Sequence, residues 1–291
     1  MTTDYYTPKL DEPSNSMLSE FRRSPLAYYD AVTNGRDLET RTMSYGRAFH
    51  CALLEPERFR SQYVTIPQGK LTSNAAKLDW LSECAELLAV DLSAVPLGKA
   101  DEMRRDVSVA ARSVGIEVIS DEDLETLRAQ VGSLNRPEHA DARKLIAMAQ
   151  AEVEIHWERG ALRPKAKLDL VIPEHRVILD IKTTDDADPD EFRRSVYGYG
   201  YDFQEAQYRM AAAAKFGDGD ADEWDFAFLL AGKKRPYHWS WVQLDDEDQV
   251  RAHLRIIRDW ERLEQCLATN MWPGRWTAET AQIRINRREQ P

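Results

Sequence analysis

Asp169, Asp180 and Lys182 are the residues of this 291-residue chain whose types and spacing most call for a chemical explanation. The runs Leu168-Asp169-Leu170-Val171-Ile172 and Val177-Ile178-Leu179-Asp180-Ile181-Lys182-Thr183-Thr184 read as apolar strands that nevertheless carry charge. Asp and Lys are depleted from strand interiors, and desolvating them is costly unless they pair or bind an ion. Side chains alternate along a strand, so Asp180 and Lys182 share one face while Leu179 and Ile181 turn to the core. The short link from Pro173 to Arg176 allows an antiparallel pair with Asp169 across from Asp180. Two hard oxygen ligands would then be offered to Mg²⁺ or Mn²⁺, with Lys182 beside the ion. An ion so held binds a phosphate oxygen and lowers the pKa of a water, while an ammonium orients that water or stabilises developing charge. This is the chemistry of phosphodiester hydrolysis. The alternative is a structural Asp/Lys pair on an edge strand.

Two helices would complete such a site. Tyr45 to Pro56 reads as a helix with Tyr45, Ala48, Phe49, Ala52 and Leu53 in one apolar stripe, Pro56 as its stop and His50 at the edge of the stripe. A lone histidine there is more often packed than functional. In the helical run Asp202 to Ala214, Gln204 and Tyr208 are four apart and share a face; on their own they read as a surface hydrogen-bonding pair.

The order His50, Asp169, Asp180-Ile181-Lys182, Gln204-x-x-x-Tyr208 resembles the PD-(D/E)xK nuclease superfamily. Within it, with Ser14 to Leu18 and Phe21 to Pro25, the sequence is similar to the exonuclease VIII (RecE-type) branch, related to the nuclease domain of RecB. Leu168 stands where a proline often precedes the first acid. The resemblance implies that His50, Asp169, Asp180 and the Ile181 carbonyl hold the metal. It further implies that Lys182 positions or activates the attacking water and that Gln204 and Tyr208 border the site. Also implied are 5′-to-3′ resection of duplex ends, a single-strand annealing partner in phage or prophage recombination, and a toroidal homo-oligomer. A structure-specific or restriction-like endonuclease, or a DNA-binding module without catalysis, are the alternatives.

The expected fold is an α/β (α+β) restriction-endonuclease-like core, a mixed sheet flanked by helices, in one nuclease domain spanning 1–291. Within it, 14–66 form a helical part carrying His50, with a turn around Thr33 to Asp37. Residues 67–150 form a helical insertion with periodic Leu78, Leu81, Ala85 and Leu88, 151–270 the catalytic sheet core and 271–291 a tail. Val153, Ile155 and Trp157 alternate with Glu152, Glu154, His156 and Glu158 in a first strand, with Glu154 the candidate for an additional outer-shell acid. Asp188-Pro189-Asp190-Glu191 has the form of a helix start. Phe226 to Ala231 and Tyr237 to Leu244 read as a hairpin around Gly232 to Pro236, and Glu247 to Leu267 as a closing helix. Asp218, Asp220 and Asp222 mimic a calcium loop, but its sixth and twelfth positions would be Glu223 and Leu229 instead of Gly and Glu.

The formal net charge of −11 opposes a polyanionic partner unless basic residues are concentrated where DNA runs. Lys165 and Lys167 near the first acid, and Lys233-Lys234-Arg235 between two strands, are the candidates for contact with double-stranded DNA; Arg284, Arg287 and Arg288 read as a solvated patch. Cys51, Cys84 and Cys266 form no C-x-x-C and are too few for the iron–sulfur cluster of some superfamily relatives. No apolar run is long enough for a membrane span and the start lacks a signal pattern, so a cytoplasmic enzyme is expected. Dinucleotide, P-loop and serine-hydrolase motifs do not occur.

Overall fold

A computed structural model describes Tyr5 and residues 7–35, 41–217 and 219–275. Two capped helices open the chain. In α1 (Asn15–Arg23) and α2 (Pro25–Asn34), Ser14 and Ser24 accept from the Met17 and Ala27 N–H groups, and Pro25 fills the first helical position of α2. Then come α3 (Arg41–Leu54), stopped by Pro56, α4 (Pro56–Gln62) and β1 (Tyr63–Thr65). The expected turn at Thr33 to Asp37 begins with Gly35, whose φ of 87° suits glycine; its remainder lies outside the described residues.

The stretch read as a helical insertion contains α5 (Asn74–Leu88), α6 (Ala100–Ser113), β2 (Glu117–Ile119), α7 (Asp121–Ser133) and α8 (Ala140–Met148). It also carries a feature the helical reading missed: β2 pairs in parallel with β1, and the two short strands form a sheet of their own. Trp80, Leu81, Cys84 and Leu88 of α5 pack with Met103, Val107 and Ala111 of α6 in a separate apolar cluster. Leu78 is a correction, because the buried stripe runs through Trp80 and leaves Leu78 54% exposed.

The main sheet follows: β3 (Gln150–His156), β4 (Lys165–Ile172), β5 (Val177–Thr184), α9 (Pro189–Tyr199), α10 (Tyr201–Phe216), β6 (Asp225–Gly232), β7 (Trp239–Val242) and α11 (Asp246–Thr269). The strands lie in the order β3-β4-β5-β6-β7. The β5–β6 pair, joined through α9 and α10, is parallel and the others are antiparallel. This is a mixed α/β fold. One face, with Ile178, Phe226, Phe228 and Leu230, packs against Phe192 and Ala211 to Ala213 of α9 and α10. The other, with Leu179, Ile181, Leu229 and Ala231, packs against Tyr45, Ala48 and Phe49 of α3 and Leu127 of α7. The helix start at Asp188 is as read, its side chain accepting from the Asp190 N–H at 2.8 Å. The second hairpin strand is shorter than expected, since Tyr237 has a left-handed φ of 62° and regular pairing starts only at Trp239. Among the described residues no helix is long and apolar enough to cross a membrane.

Candidate active site

The strand pair expected from the short link exists, but its centre is irregular. Pairing of β4 with β5 runs from Ile172↔Val177 to Leu170↔Leu179, where it ends. On its other edge, β4 pairs Ala151↔Leu170 and Val153↔Leu168, which leaves Glu152 opposite Asp169 between two rungs. Glu152 has a φ of 55°, unusual for a residue with a side chain and rarer still inside a strand. Leu168 packs on the α9–α10 face, whereas Leu170 packs on the α3 face. Residues two apart in a regular strand share a face, so β4 turns over at Asp169. The carboxylate makes use of this break: Asp169 Oδ2 accepts from the Ile181 N–H at 2.8 Å.

Helix α3 brings His50 to the same point. Its Nε2 lies 2.9 Å from the Ile181 carbonyl oxygen and its Nδ1 3.4 Å from Asp169 Oδ1. Ile181 therefore serves the site through both backbone groups. Burial opposes charge on His50, but the adjacent Asp169 carboxylate outweighs it and raises the imidazole to about 9. Asp169 is correspondingly held below the usual carboxylate range: burial pushes it up, and His50 and then Lys182 push it further down. His50, Glu152 and Asp169 each offer a ligand atom within 4.8 Å of the others. Two carboxylates and an imidazole are a donor set that fits a divalent ion such as Mg²⁺ or Mn²⁺.

Asp180 and Lys182 point to one side of β5, as the alternation required. Asp180 is fully buried; its Oδ1 accepts from Gln204 Nε2 at 2.7 Å, and Lys182 Nζ stands 2.5 Å from its Oδ2. Burial, eased by Lys182, leaves the Asp180 carboxyl raised to about 7. Lys182 Nζ also sits 4.7 Å from the centre of the Tyr201 ring. Burial disfavours its ammonium, but Asp180 more than compensates and its pKa is raised. Tyr208 lies on the same face of α10 as Gln204 and borders the cleft, its hydroxyl pushed well above 10 by burial and by Asp180. The four-residue spacing thus does bring both side chains of α10 to the acids.

Several expected residues stand elsewhere. Asp180 is turned to Lys182 and Gln204 and is not part of the three-ligand group, whose third member is Glu152. Glu154, the outer-shell candidate, is exposed. Lys165 is corrected: it is 3% exposed, and its Nζ donates to the Tyr5 and Thr7 carbonyls at 2.6 and 3.0 Å, so it cannot reach a phosphate. Lys167 lines the cleft but is 2.7 Å from Glu152. Of the loop residues, Lys233 reaches the cleft, its Nζ 4.9 Å from the Tyr45 ring centre. Lys234 lies 3.5 Å from Asp185, and Arg235 does not line the cleft. Arg284, Arg287 and Arg288, like Asp218 of the calcium-loop mimic, fall outside the described residues.

These groups open into a cleft of about 1430 Å³. Its floor is His50, Glu152, Asp169, Ile181 and Lys182, and its rim includes Arg47 and Arg58 from α3 and α4 and Arg112 and Glu117 from α6 and β2.

Residues 14–286 match the sequence pattern of a family described as "PDDEXK-like domain of unknown function (DUF3799)". No curated protein matches the chain. Among solved structures, it is similar to a protein from Eubacterium rectale provisionally named an exonuclease, with a TM-score of 0.58 at 13% identity over 98% of this chain and 96% of that one. At that identity the likeness concerns the fold. A phage-related exonuclease from Haemophilus somnus 129PT aligns at 15% identity over 65% of this chain and 95% of its own, with a TM-score of 0.31 that supports no argument.

Proposed function

Since the chain belongs to that PDDEXK-like family, we propose that it is a divalent-metal-dependent deoxyribonuclease that degrades linear duplex DNA from its ends. Family and fold support a nuclease. The observation that carries the chemistry is the convergence of His50, Glu152 and Asp169 within 4.8 Å beside the Asp180–Lys182 ion pair. In this reading Asp169, Glu152 and the neutral imidazole of His50 hold the ion, Ile181 lines the same cleft, and Asp180 acts through Lys182. A divalent ion bound there supplies Lewis acidity, withdrawing charge from a phosphate oxygen and lowering the pKa of a water.

The remaining steps belong to side chains in place. Lys182, held as an ammonium by Asp180 and the Tyr201 ring, orients the attacking water and offsets charge that grows on the phosphate. Gln204 fixes the Asp180 carboxylate through Oδ1 and so fixes Lys182 through the other oxygen. Tyr208 keeps its hydroxyl proton and can donate to the DNA end. His50, in losing a proton to become a ligand, couples occupancy of the site to pH.

The finer reading is that of the exonuclease VIII-like branch: resection from the 5′ side, a 3′ strand passed to a single-strand annealing recombinase, and a ring-shaped homo-oligomer that confines DNA. End-labelled linear duplex and covalently closed circular DNA, each with Mg²⁺, Mn²⁺ or EDTA, test it. The expected result is metal-dependent loss of linear DNA alone with 5′-terminal nucleotides released first. Cutting of circles would indicate an endonuclease, and no degradation a DNA-binding module.

A further inference from the structure

The wall of the cleft formed by the end of α9 and the start of α10 enters the chemistry above only through the Tyr201 ring beside Lys182, yet it presents a second ring, Tyr199, to the cleft. Its geometry starts at Gly200, which ends α9 and caps α10 in a left-handed conformation, φ 67°. A Cβ at this position would lie 3.1 Å from the Phe203 ring as well as being strained by the backbone. The corner sets Tyr199 and Tyr201 side by side, ring centres 5.6 Å apart and planes 35° apart. Tyr201 is anchored from behind by Phe192, stacked at 5.6 Å and 20°, and by Lys182. Tyr199 is different: it lines the cleft yet is 70% exposed. A rigid aromatic anchor thus supports an outer ring whose area is open to whatever enters.

Across the cleft, Arg47 and Arg112 share one carboxylate, Glu117, at 3.5 and 2.9 Å. Both guanidiniums line the same cleft as Tyr199 and Tyr201. An aromatic face opposite guanidiniums, with carboxylates and an ammonium between them, matches one polymer chemistry: an anionic backbone bearing flat bases. In duplex DNA the base faces are already stacked on one another. We propose that Tyr199, backed by Tyr201, is a stacking platform for an unpaired base of the strand being cut, with the backbone of that strand held toward Arg47 and Arg112. This rests on the nuclease reading of the same cleft and adds that the strand lies there unpaired.

The test uses the full chain and a single-stranded DNA oligonucleotide carrying 2-aminopurine, in EDTA so that no strand is cut. Stacking on tyrosine should quench the fluorophore. Tyr199→Ala should abolish the quench and weaken binding about fivefold to a hundredfold, the range for loss of one base–aromatic stack, while Tyr199→Phe should restore both. Arg112→Ala should keep the quench but make the salt dependence of affinity shallower by roughly 0.7 per lost phosphate contact, the value for single strands. An unchanged quench in Tyr199→Ala, a Phe variant that behaves like Ala, or no binding of the strand by wild type would overturn the platform. Cleavage of DNA by wild type in Mg²⁺ is scored separately. DNA degraded with no effect of Tyr199 refutes the platform alone, and Tyr199-dependent quenching without any cleavage refutes the nuclease reading alone.

Discussion

The centre of the main sheet and the lobe built from α5 and α6 are packed on opposite terms. Around β4 and β5 the interior holds Asp180, fully buried, and the strand breaks its own alternation at Asp169. In the lobe, Trp80, Leu81, Cys84, Leu88, Met103, Val107 and Ala111 form an apolar cluster. Buried charge contributes little net stability but costs several kcal/mol if one partner is removed, whereas an apolar cluster stabilises in proportion to the area it hides. The contrast separates the residues that should matter for turnover from those that should matter only for folding.

The strongest way to break this contrast is at Lys182. Lys182→Ala should lower turnover by about a hundredfold to a thousandfold or more, the scale of losing one preorganised electrostatic group, while Mn²⁺ still binds in a calorimetric titration because Lys in its charged form is no ligand. Normal turnover would place the chemistry elsewhere. Next comes Trp80→Ala in the lobe. It should cost about 3–5 kcal/mol in denaturant unfolding, as for large-to-small core changes, and leave turnover per folded molecule unchanged; a selective loss of activity would show that the lobe does more than pack.

A smaller effect sharpens the role of His50. Its imidazole, raised to about 9 by Asp169 against the effect of burial, must lose a proton to bind metal, so Mn²⁺ affinity should rise up to about tenfold per pH unit below 9 and level off above it. The linkage sign follows: without metal, a raised histidine adds stability below pH 6.5 that is lost as pH climbs through about 9. Added metal should therefore raise the melting temperature more at pH 9 than at pH 6, and His50→Ala should remove that difference. The least effect is expected in the loop after β6. Lys233→Ala should make the salt dependence of duplex binding shallower by roughly 0.9, and Lys234→Ala, at an exposed pair with Asp185, should change neither binding nor stability, the latter by less than about 0.5 kcal/mol.

Much of the candidate site was legible because charge in apolar strands is rare: Asp169, Asp180 and Lys182 stood out by type, and a four-residue spacing put Gln204 and Tyr208 on one helical face. Glu152 was missed for a physical reason. Strict alternation gives Glu152 and Glu154 the same side, and nothing in the residue types announces the left-handed φ at Glu152 or the turning over of β4. Lys165 was misjudged because its acceptors are main-chain carbonyls 160 and 158 residues earlier in the chain, which no local pattern encodes. The β1–β2 pair escaped notice because three-residue strands separated by two helices leave no periodic trace.

The burial of Lys165 reaches further than its own two hydrogen bonds. The Arg163 and Lys165 N–H groups donate to the Asp11 and Pro13 carbonyls, and Gln207 of α10 donates to both Pro13 and Lys165. The segment before α1 is thus a clasp between the first residue of β4 and the helix that carries Gln204. An expression variant beginning at Ser14 would remove the Asp11 and Pro13 carbonyls that hold the Arg163 and Lys165 N–H groups and Gln207, uncover the Lys165 ammonium, and so loosen the helix that holds Asp180. Placement of an affinity tag ahead of this segment is therefore a functional choice for this protein.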